Sequence, residues 1–145
     1  MSAKTWQQNM LGITFRYADG RITVFRSALD SIGRPEFYHF LYNPTKQMFA
    51  IQACGMDAEG ANRVPKKNQD DRYEIKSKNL VRLIYQSCGW DRTRSYRLPG
   101  VEYPEQRLVN YDLRRAIPIF EGKMDKENER ESRSWGRAAS GAENI

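Results

Sequence analysis

The sequence predicts an α+β protein: a small single domain of antiparallel β-hairpins with two short helices, followed by a disordered C-terminal tail. Three observations lead to this prediction. Several short segments alternate apolar with polar residues, which is typical of half-buried strands. Two other segments have apolar residues at helical spacing and end in glycine. Residues 121–145 contain almost no aliphatic side chains, so they cannot bury enough apolar surface to offset the entropy of ordering.

The first hairpin is predicted within residues 12–25, "GITFRYADGRITVF". Ile13, Phe15 and Tyr17 alternate with polar or small residues, so they share one face of a strand. The Asp-Gly pair at 19–20 is a strong signal for a two-residue type I′ turn. The "RITVF" that follows is the second strand of this hairpin.

A helix followed by another hairpin is predicted at residues 26–54. The helix, "RSALDSIG", has Ser27 as its N-cap and Gly33 at its end, and Pro35 prevents its continuation. Two segments rich in aromatic and aliphatic residues, "EFYHFLYN" and "QMFAIQAC", then flank a Pro-Thr-Lys turn. This arrangement predicts two paired strands.

The next elements are a loop, a strand and the strongest helix in the sequence. Residues 55–72 combine clustered charge with two Gly and one Pro, which predicts a long exposed loop. Residues 73–77 predict a short strand. In "KNLVRLIYQSCG" at 78–89, Leu80 and Leu83 lie on the predicted apolar face, and the final glycine is the C-cap.

A further hairpin is predicted from residues 92–98 and 106–113, which a seven-residue loop connects. It follows a helix, as the earlier hairpin does, so the units 26–54 and 78–113 form a possible pseudo-repeat of helix and hairpin. The folded α+β binding domain is therefore placed at residues 1–120, and the polar tail comes after it.

The charge is positive and unevenly placed. The chain has 24 Lys and Arg against 18 Asp and Glu, a formal net charge of +6. Because residues 121–145 have a net charge of −1, the first 120 residues carry +7. A basic folded part with a nearly neutral tail favours an acidic partner: a nucleic acid, a nucleotide or an acidic face of another protein.

The sequence also disfavours several classes of function and location. No apolar run approaches the ~18 residues of a membrane span, and the N-terminus lacks the apolar core of a signal peptide, so we expect a cytoplasmic protein without membrane contact. Cys54 and Cys88 are expected to be buried free thiols. His39 is the only histidine, so neither a Ser-His-acid or Cys-His set nor a Cys/His metal site can be assembled. We therefore predict no enzymatic activity, cofactor or metal.

The lysines and arginines cluster in three places, and these clusters are the predicted nucleic-acid or phosphate site. They flank the first helix, populate the charged loop and open the last hairpin. Strand alternation places Arg92, Arg94 and Tyr96 on one face and Arg97 on the other. Guanidinium groups bind phosphates and aromatic rings stack on bases, so this pattern suits a nucleotide or a nucleic-acid strand. The predicted site residues are Arg21, Arg26, Arg34, Lys66, Lys67, Arg92, Arg94, Tyr96 and Arg97.

Residues 20–52, "GRITVFRSALDSIGRPEFYHFLYNPTKQMFAIQ", resemble the swapped-hairpin DNA-binding module of the AbrB/SpoVT and MazE-antitoxin type. The order is similar: a first strand at 21–24, a small helix at 28–33 that ends in Ile-Gly, then two strands around a tight turn. Where that module usually has Pro after the first strand, this chain has Phe25. The resemblance implies an intertwined dimer whose basic residues near the first strand and helix face DNA.

The leading functional prediction is a non-enzymatic DNA-binding regulator that forms a homodimer. The alternative is a phage or mobile-element inhibitor, which would sequester a nucleotide signal or block a host defence protein. A third hypothesis is a metal-dependent nuclease, because the Glu-x-Lys at 74–76 with Asp57 provides the carboxylates and lysine that such enzymes use.

Overall fold

Two antiparallel sheets of five strands each, together with two α-helices, make up the computed structural model of this protein, which describes residues 10–119. The strands are β1 (Ile13–Arg16), β2 (Arg21–Phe25), β3 (Phe37–Asn43), β4 (Met48–Cys54), β5 (Asn62–Arg63), β6 (Arg72–Lys76), β7 (Ser95–Leu98), β8 (Val101–Tyr103), β9 (Leu108–Asp112) and β10 (Ile117–Ile119). The helices are α1 (Arg26–Ser31) and α2 (Lys78–Cys88), and short 3-10 turns occupy Pro104–Gln106 and Leu113–Arg115. Sheet A has the order β10-β7-β1-β2-β6 and sheet B the order β5-β3-β4-β9-β8, so the α+β class is confirmed.

The two sheets face each other across one hydrophobic core. Phe15 of β1 meets Phe49 of β4 edge-on, with ring centroids 5.2 Å apart, and both side chains are buried. β1 and β2 bury every second residue, as their alternation predicts. From α2, the side chains of Val81, Ile84 and Tyr85 enter the same core. Removing these apolar groups from water is the main force that holds the two sheets together.

The β1–β2 hairpin is confirmed, but its turn is longer than predicted. The loop comprises the four residues Tyr17–Gly20 and is closed by a hydrogen bond of 3.2 Å from the Gly20 amide to the Tyr17 carbonyl. A type I′ turn needs positive φ at both central residues, whereas Gly20 alone has one in this loop, at +64°. The type I′ prediction is therefore wrong. The longer loop lets the Tyr17 ring pack on Tyr85 of α2, with centroids 5.1 Å apart.

Helix α1 lies where the sequence predicts a helix, but its N-cap is different. The cap is Phe25, the last residue of β2, and no side chain bonds to the first amides. Ser27 is therefore inside the helix, because the chain enters α1 from β2 without an intervening residue. Gly33 follows the helix with a φ of +91°, a conformation that favours glycine.

Helix α2 also forms as predicted, and Gly89 ends it in the left-handed conformation. Its buried face is rotated from the predicted one: Val81 and Tyr85 are buried, while Leu83 is 50% exposed. Tyr85 explains the rotation, since its hydroxyl donates to the carbonyl of Arg94 at 2.6 Å and so holds that side of the helix against sheet A.

The predicted hairpin of residues 92–98 with 106–113 is wrong, because its strands lie in different sheets. β7 pairs with β1 and β10 in sheet A, whereas β9 pairs with β4 and β8 in sheet B. Between β7 and β8 the chain crosses from one sheet to the other at Pro99-Gly100. A Cβ atom on Gly100 would lie 2.7 Å from the Leu11 carbonyl oxygen, so the crossing requires glycine. The pseudo-repeat itself stays a prediction.

The loop at 55–72 has little regular structure, as predicted, apart from β5, which pairs with β3, and the start of β6. Cys54 and Cys88 are free thiols, and both are half-buried rather than buried. Within residues 10–119, no helix has the length and apolar character needed to cross a bilayer. The predicted tail at 121–145 lies outside the described residues.

Candidate nucleic-acid interface

The side of sheet A that points away from the core carries most of the strand cations. We name it the basic face. It is formed by the outward side chains of β1, β2, β6 and β7, and its cations are Arg16, Arg21, Arg72, Lys76 and Arg97. The acidic groups beside them are Glu74 of β6 and Asp19 of the β1–β2 turn, so this surface keeps a net charge of +3. All of these cations have at least part of their side chain in solvent.

Three of the cations are direct neighbours across the sheet. Arg16 pairs with Arg21 between β1 and β2, and Arg21 pairs with Lys76 between β2 and β6. Like charges in directly opposite positions destabilise a sheet. Asp19 reduces this cost, because its carboxylate lies 3.8 Å from Arg16 Nε and 3.6 Å from Arg21 Nε, and Glu74 lies 3.6 Å from Arg21. These two carboxylates reduce the repulsion among the three neighbouring cations, which keep a net positive charge that can attract an anion.

Phe25 organises the other end of the basic face. Arg72 stands directly opposite it on β6, and the Arg72 guanidinium lies 4.6 Å from the ring centroid. Arg97 reaches over from β7, with its guanidinium 5.3 Å from the same centroid. Cation–π contact with one ring holds both groups near each other. Two oriented guanidiniums so placed can contact successive phosphate oxygens.

A second aromatic ring with two arginines lies at the turn end of β1. Tyr17 follows Arg16 in the chain, and the guanidiniums of Arg82 and Arg92 lie 5.9 Å and 5.8 Å from its ring centroid. This Tyr17 cluster, defined as Tyr17 with Arg82 and Arg92, joins α2 to the residues that follow it. It extends the positive surface from the basic face around the β1–β2 turn.

The structure brings together only some of the predicted site residues. Arg21 and Arg97 lie on the basic face, and Arg92 belongs to the Tyr17 cluster. Arg26 and Arg34 both pair with Asp30, at 3.5 Å and 2.9 Å, so the predicted cluster around the first helix is largely neutralised. Lys66 and Lys67 are exposed in the loop, and Lys67 pairs with an aspartate, as described below.

Two residues of the last predicted cluster are placed differently from the prediction. Tyr96 points into the core at 9% exposure and stacks on Trp90 with centroids 4.5 Å apart, so it offers no surface to a base. Arg94 precedes β7, in a turn that Asp91 organises by accepting from the Thr93 amide at 2.9 Å. This turn, rather than a strand, holds Arg94, so the predicted alternation does not apply there. Hydrogen bonds from Thr93 are also the main cause that lowers the pKa of Asp91.

Asp71 pairs with two further cations, which are not among the five of the basic face. Its carboxylate lies 2.5 Å from Arg26 Nη1 and 2.9 Å from Lys67 Nζ. The hydrogen bond from Lys67 is the largest cause that lowers the pKa of Asp71, and the charge of Arg26 acts in the same direction. Asp71 therefore stays ionised at neutral pH. Its negative charge makes Arg26 and Lys67 less available to an anionic partner.

Sequence reasoning missed several residues of this surface as site residues: Arg16, Phe25, Arg72, Lys76, Arg82 and Tyr17. A signal for part of the set was present, because period-2 alternation assigns Arg16 to the side of β1 opposite Phe15. The same rule assigns Arg72 and Lys76 to one side of β6. What alternation does not supply is the pairing of β6 with β2, which places these cations beside Arg21.

The residues of the nuclease hypothesis have other contacts. Glu74 accepts a hydrogen bond of 3.0 Å from Asn68 and pairs with Arg21. Asp57 lies in the loop after β4 of sheet B, whereas Glu74 is in sheet A. His39, which is not part of that hypothesis but is the single histidine of the sequence, bonds to Gln52 at 2.8 Å. In the described part of the chain, no group of three acidic, histidine or cysteine residues is placed to hold a metal ion.

Comparisons with known proteins return no matching family model, no matching curated protein and no matching solved structure. The function is therefore inferred from the geometry and charge of residues 10–119. The concentration of cations on the basic face, with its arginine-flanked Phe25 ring, is the feature of these residues on which we base the function.

Proposed function

We propose that this protein is a non-enzymatic nucleic-acid-binding protein, and that it serves as a DNA-binding regulator by contacting phosphates through the basic face. The observation that carries the proposal is the concentration of five cations on one side of sheet A, two of them held over one phenylalanine ring. Cations in such an array release counterions from the phosphate backbone when they bind it.

The shape of the basic face supports a polymer rather than a single nucleotide as its partner. A nucleotide-sequestering protein needs a concave pocket with convergent polar and charged groups. Two grooves of the described residues, of about 300 and 220 Å³, lie on sheet B and have no Lys or Arg in their linings. The cations lie instead along an open sheet surface. Because the cations do not line these grooves, the structure favours an extended anionic polymer as the partner. It gives less support to an inhibitor that sequesters a nucleotide.

The aromatic residues support phosphate contact rather than base stacking. Guanidinium groups already lie over the rings of Phe25 and Tyr17, and Tyr96 is buried. These rings therefore position arginines and offer little surface for unpaired bases. Single-strand binding proteins gain much of their affinity from such stacking. We accordingly expect duplex DNA to bind at least as tightly as a single strand of the same sequence.

Removing Arg72 and Arg97 together is expected to weaken duplex binding and its dependence on salt. Fluorescence anisotropy of the full chain with a labelled duplex, over a series of salt concentrations, measures both. Each phosphate contact contributes about 0.9 to the slope of log K against log salt, so Arg72→Ala with Arg97→Ala should reduce the slope by about 2. The loss should be similar for unrelated sequences, since phosphates carry no sequence information.

The matched control for this double variant is Arg34→Ala with Arg63→Ala. It removes the same charge, but these arginines pair with Asp30 and Glu36 and lie away from the basic face. Its salt slope should stay near that of the wild type. An equal loss in both double variants would show that only net charge matters, and no duplex binding at low salt would overturn the proposed function. Thermal stabilisation by small nucleotides in place of duplex binding would favour the sequestering inhibitor.

Asp71→Asn is expected to strengthen duplex binding several-fold, because it releases Lys67 and removes one of the two carboxylates beside Arg26. Asparagine suits the backbone here, since Asp71 has a φ of +65° and Asn is well tolerated in that conformation. The control is Asp112→Asn, which makes the same charge change at the end of β9, beside Arg114 of the following 3-10 turn. Anisotropy titrations at fixed salt compare the three proteins. An equal gain in both variants would contradict a local role for Asp71.

A further inference from the structure

The outward side of sheet B differs sharply from the basic face. We name it the apolar face; it is formed by the side chains of β3, β4, β8 and β9 that point away from the core. None of them is Lys or Arg, in a chain that has 24 of these residues. Leu41 is 41% exposed and Tyr103 is 47% exposed. Outward positions of monomeric sheets ordinarily carry charges, so this face has the character of a contact surface.

A continuous groove crosses the apolar face. One part, of about 300 Å³, is lined by Met48, Leu108 and Tyr103 together with two polar residues. A second part, of about 220 Å³, shares Met48 and Leu108 and continues to Leu41. Ala50, whose small side chain leaves room between its neighbours, also lines this second part. The face therefore combines an apolar hollow with exposed apolar side chains of similar size, and such a surface can fit a copy of itself.

Several polar groups of the apolar face have partners on the face or in the 3-10 turns beside it. His39 bonds to Gln52 at 2.8 Å, and the Gln52 amide donates to the Gln106 carbonyl at 3.0 Å. Asp112 is held by Arg114 at 2.9 Å. Burying a polar group is costly mainly when it is left without a partner. Covering this face would therefore leave these hydrogen bonds intact, while desolvation of the Asp112–Arg114 ion pair would oppose the contact and keep it weak.

We infer that the apolar face is the interface of a reversible homodimer with two-fold symmetry. In such an interface the same patch meets itself on both copies. Charge favours a second copy as the occupant: residues 1–120 of each copy carry +7, and this is a face through which two copies can approach without opposing cations. The hairpin β3–β4 is already paired with β5 and β9 of its own chain, so the inferred dimer exchanges no strand.

The C-terminal segment of the same chain is a poorer occupant. The described residues end with β10, at the edge of sheet A rather than on sheet B. Residues 121–145 include 11 charged side chains among 25, and they have few apolar groups to fill the groove. A segment of this composition gains little from a surface that has no Lys or Arg and many apolar side chains.

The size of the apolar face sets the expected strength of the dimer. The four strands have seven, seven, five and three residues, and at about 3.4 Å per residue and about 4.8 Å between strands they give a flat area of roughly 360 Å² per copy. Interfaces that bury less than about 1,200 Å² in total belong to the weak, transient class. We therefore expect exchange between monomer and dimer at micromolar concentration.

The positions of the two faces determine how the dimer would bind duplex DNA, a conclusion that rests on the proposed function. Sheets A and B pack core to core, so the basic face and the apolar face lie on opposite sides of the monomer. A dimer formed through the apolar faces carries its two basic faces at its two outer ends. Such a dimer cannot clamp one duplex between both faces. It would bridge two separate duplex segments.

Sedimentation velocity of the full chain tests the interface without any ligand. Between about 1 and about 200 µM, the wild type should shift from 17.0 kDa towards twice that mass. Leu41→Lys should weaken dimerisation at least about tenfold, because a charged side chain replaces an apolar one inside the contact. Leu83→Lys is the matched control, since Leu83 is a leucine of similar exposure on α2, at 50%. Circular dichroism checks that each variant is folded, and Tyr103→Lys serves as a second interface variant.

The outcomes separate the interface from the proposed function. A wild type that stays monomeric throughout, or interface variants that dimerise as the wild type does, overturns the inference. Equal weakening by Leu83→Lys also overturns it. Capture of a labelled duplex by an immobilised one tests bridging: the wild type should link them, while Leu41→Lys should bind a duplex without linking it. A dimer that binds no duplex would overturn the proposed function and leave the interface standing.

Discussion

Gly20→Ala is expected to lower the free energy of unfolding by roughly 2–5 kcal/mol, from two separate causes. The residue has a φ of +64°, which an L side chain adopts only at a cost of about 1–2 kcal/mol. An added Cβ would also lie 2.5 Å from the Cα atom of Lys78, which is backbone at the first turn of α2. The turn and the helix must therefore separate, and the contact of Tyr17 with α2 would be disturbed.

Gly89→Ala is the matched control, because it shares the backbone conformation without the clash. Its φ is +67°, and nothing lies within 4 Å of an ideal Cβ there. It should cost only the conformational term, about 1–2 kcal/mol. Urea denaturation of both variants, with equal m-values, gives the difference directly. Equal destabilisation would show that the approach of the β1–β2 turn to α2 is looser than the structure indicates.

Phe15→Ala is expected to cost about 3–5 kcal/mol, the usual range for removing a fully buried phenylalanine. Phe15 is 0% exposed and joins sheet A to sheet B through its edge-on contact with Phe49. A loss of this size is a large share of the stability of a small domain. Phe15→Leu should lower the free energy of unfolding by less and serves as a milder variant. Denaturant midpoints of both variants measure the effect.

Phe25→Ala is the informative comparison, because it removes the same ring from the other side of the same sheet. Phe25 is half-buried, and its contacts are with the guanidiniums of Arg72 and Arg97. We expect a stability loss of only about 1–2 kcal/mol, with weaker duplex binding as the arginines lose their support. Equal stability losses for Phe15→Ala and Phe25→Ala would contradict the assignment of core and outward faces.

Much of the secondary structure could be predicted because it depends on neighbours in the chain. Alternation is enough to assign β1 and β2, and aromatic strands around a Pro-containing turn are enough for the hairpin β3–β4. Helical spacing with a terminal glycine identifies α2. The predicted type I′ turn at 19–20 and the predicted N-cap of α1 were wrong where tertiary contacts or the preceding strand override local propensity.

The candidate site could be predicted only in part, because charge pairing is not local. Arg21 and Arg97 are on the basic face, but nothing near Arg26 in the sequence shows that Asp71 would neutralise it. Tyr96 has the same local pattern as an exposed aromatic, yet contact with Trp90 takes it into the core. Which side of a strand meets solvent depends on what covers the other side.

By itself, the sequence determined the α+β class, the net positive charge, the short strands and the two helices, since each follows from composition or from the spacing of nearby residues. Only the tertiary structure decided which strands share a sheet, where the chain crosses at Gly100, and which cations stand together. The physical reason is that strand pairing and ion pairing depend on contacts between residues far apart in the chain. Those contacts place Lys76 beside Arg21 and leave the opposite side of the molecule apolar.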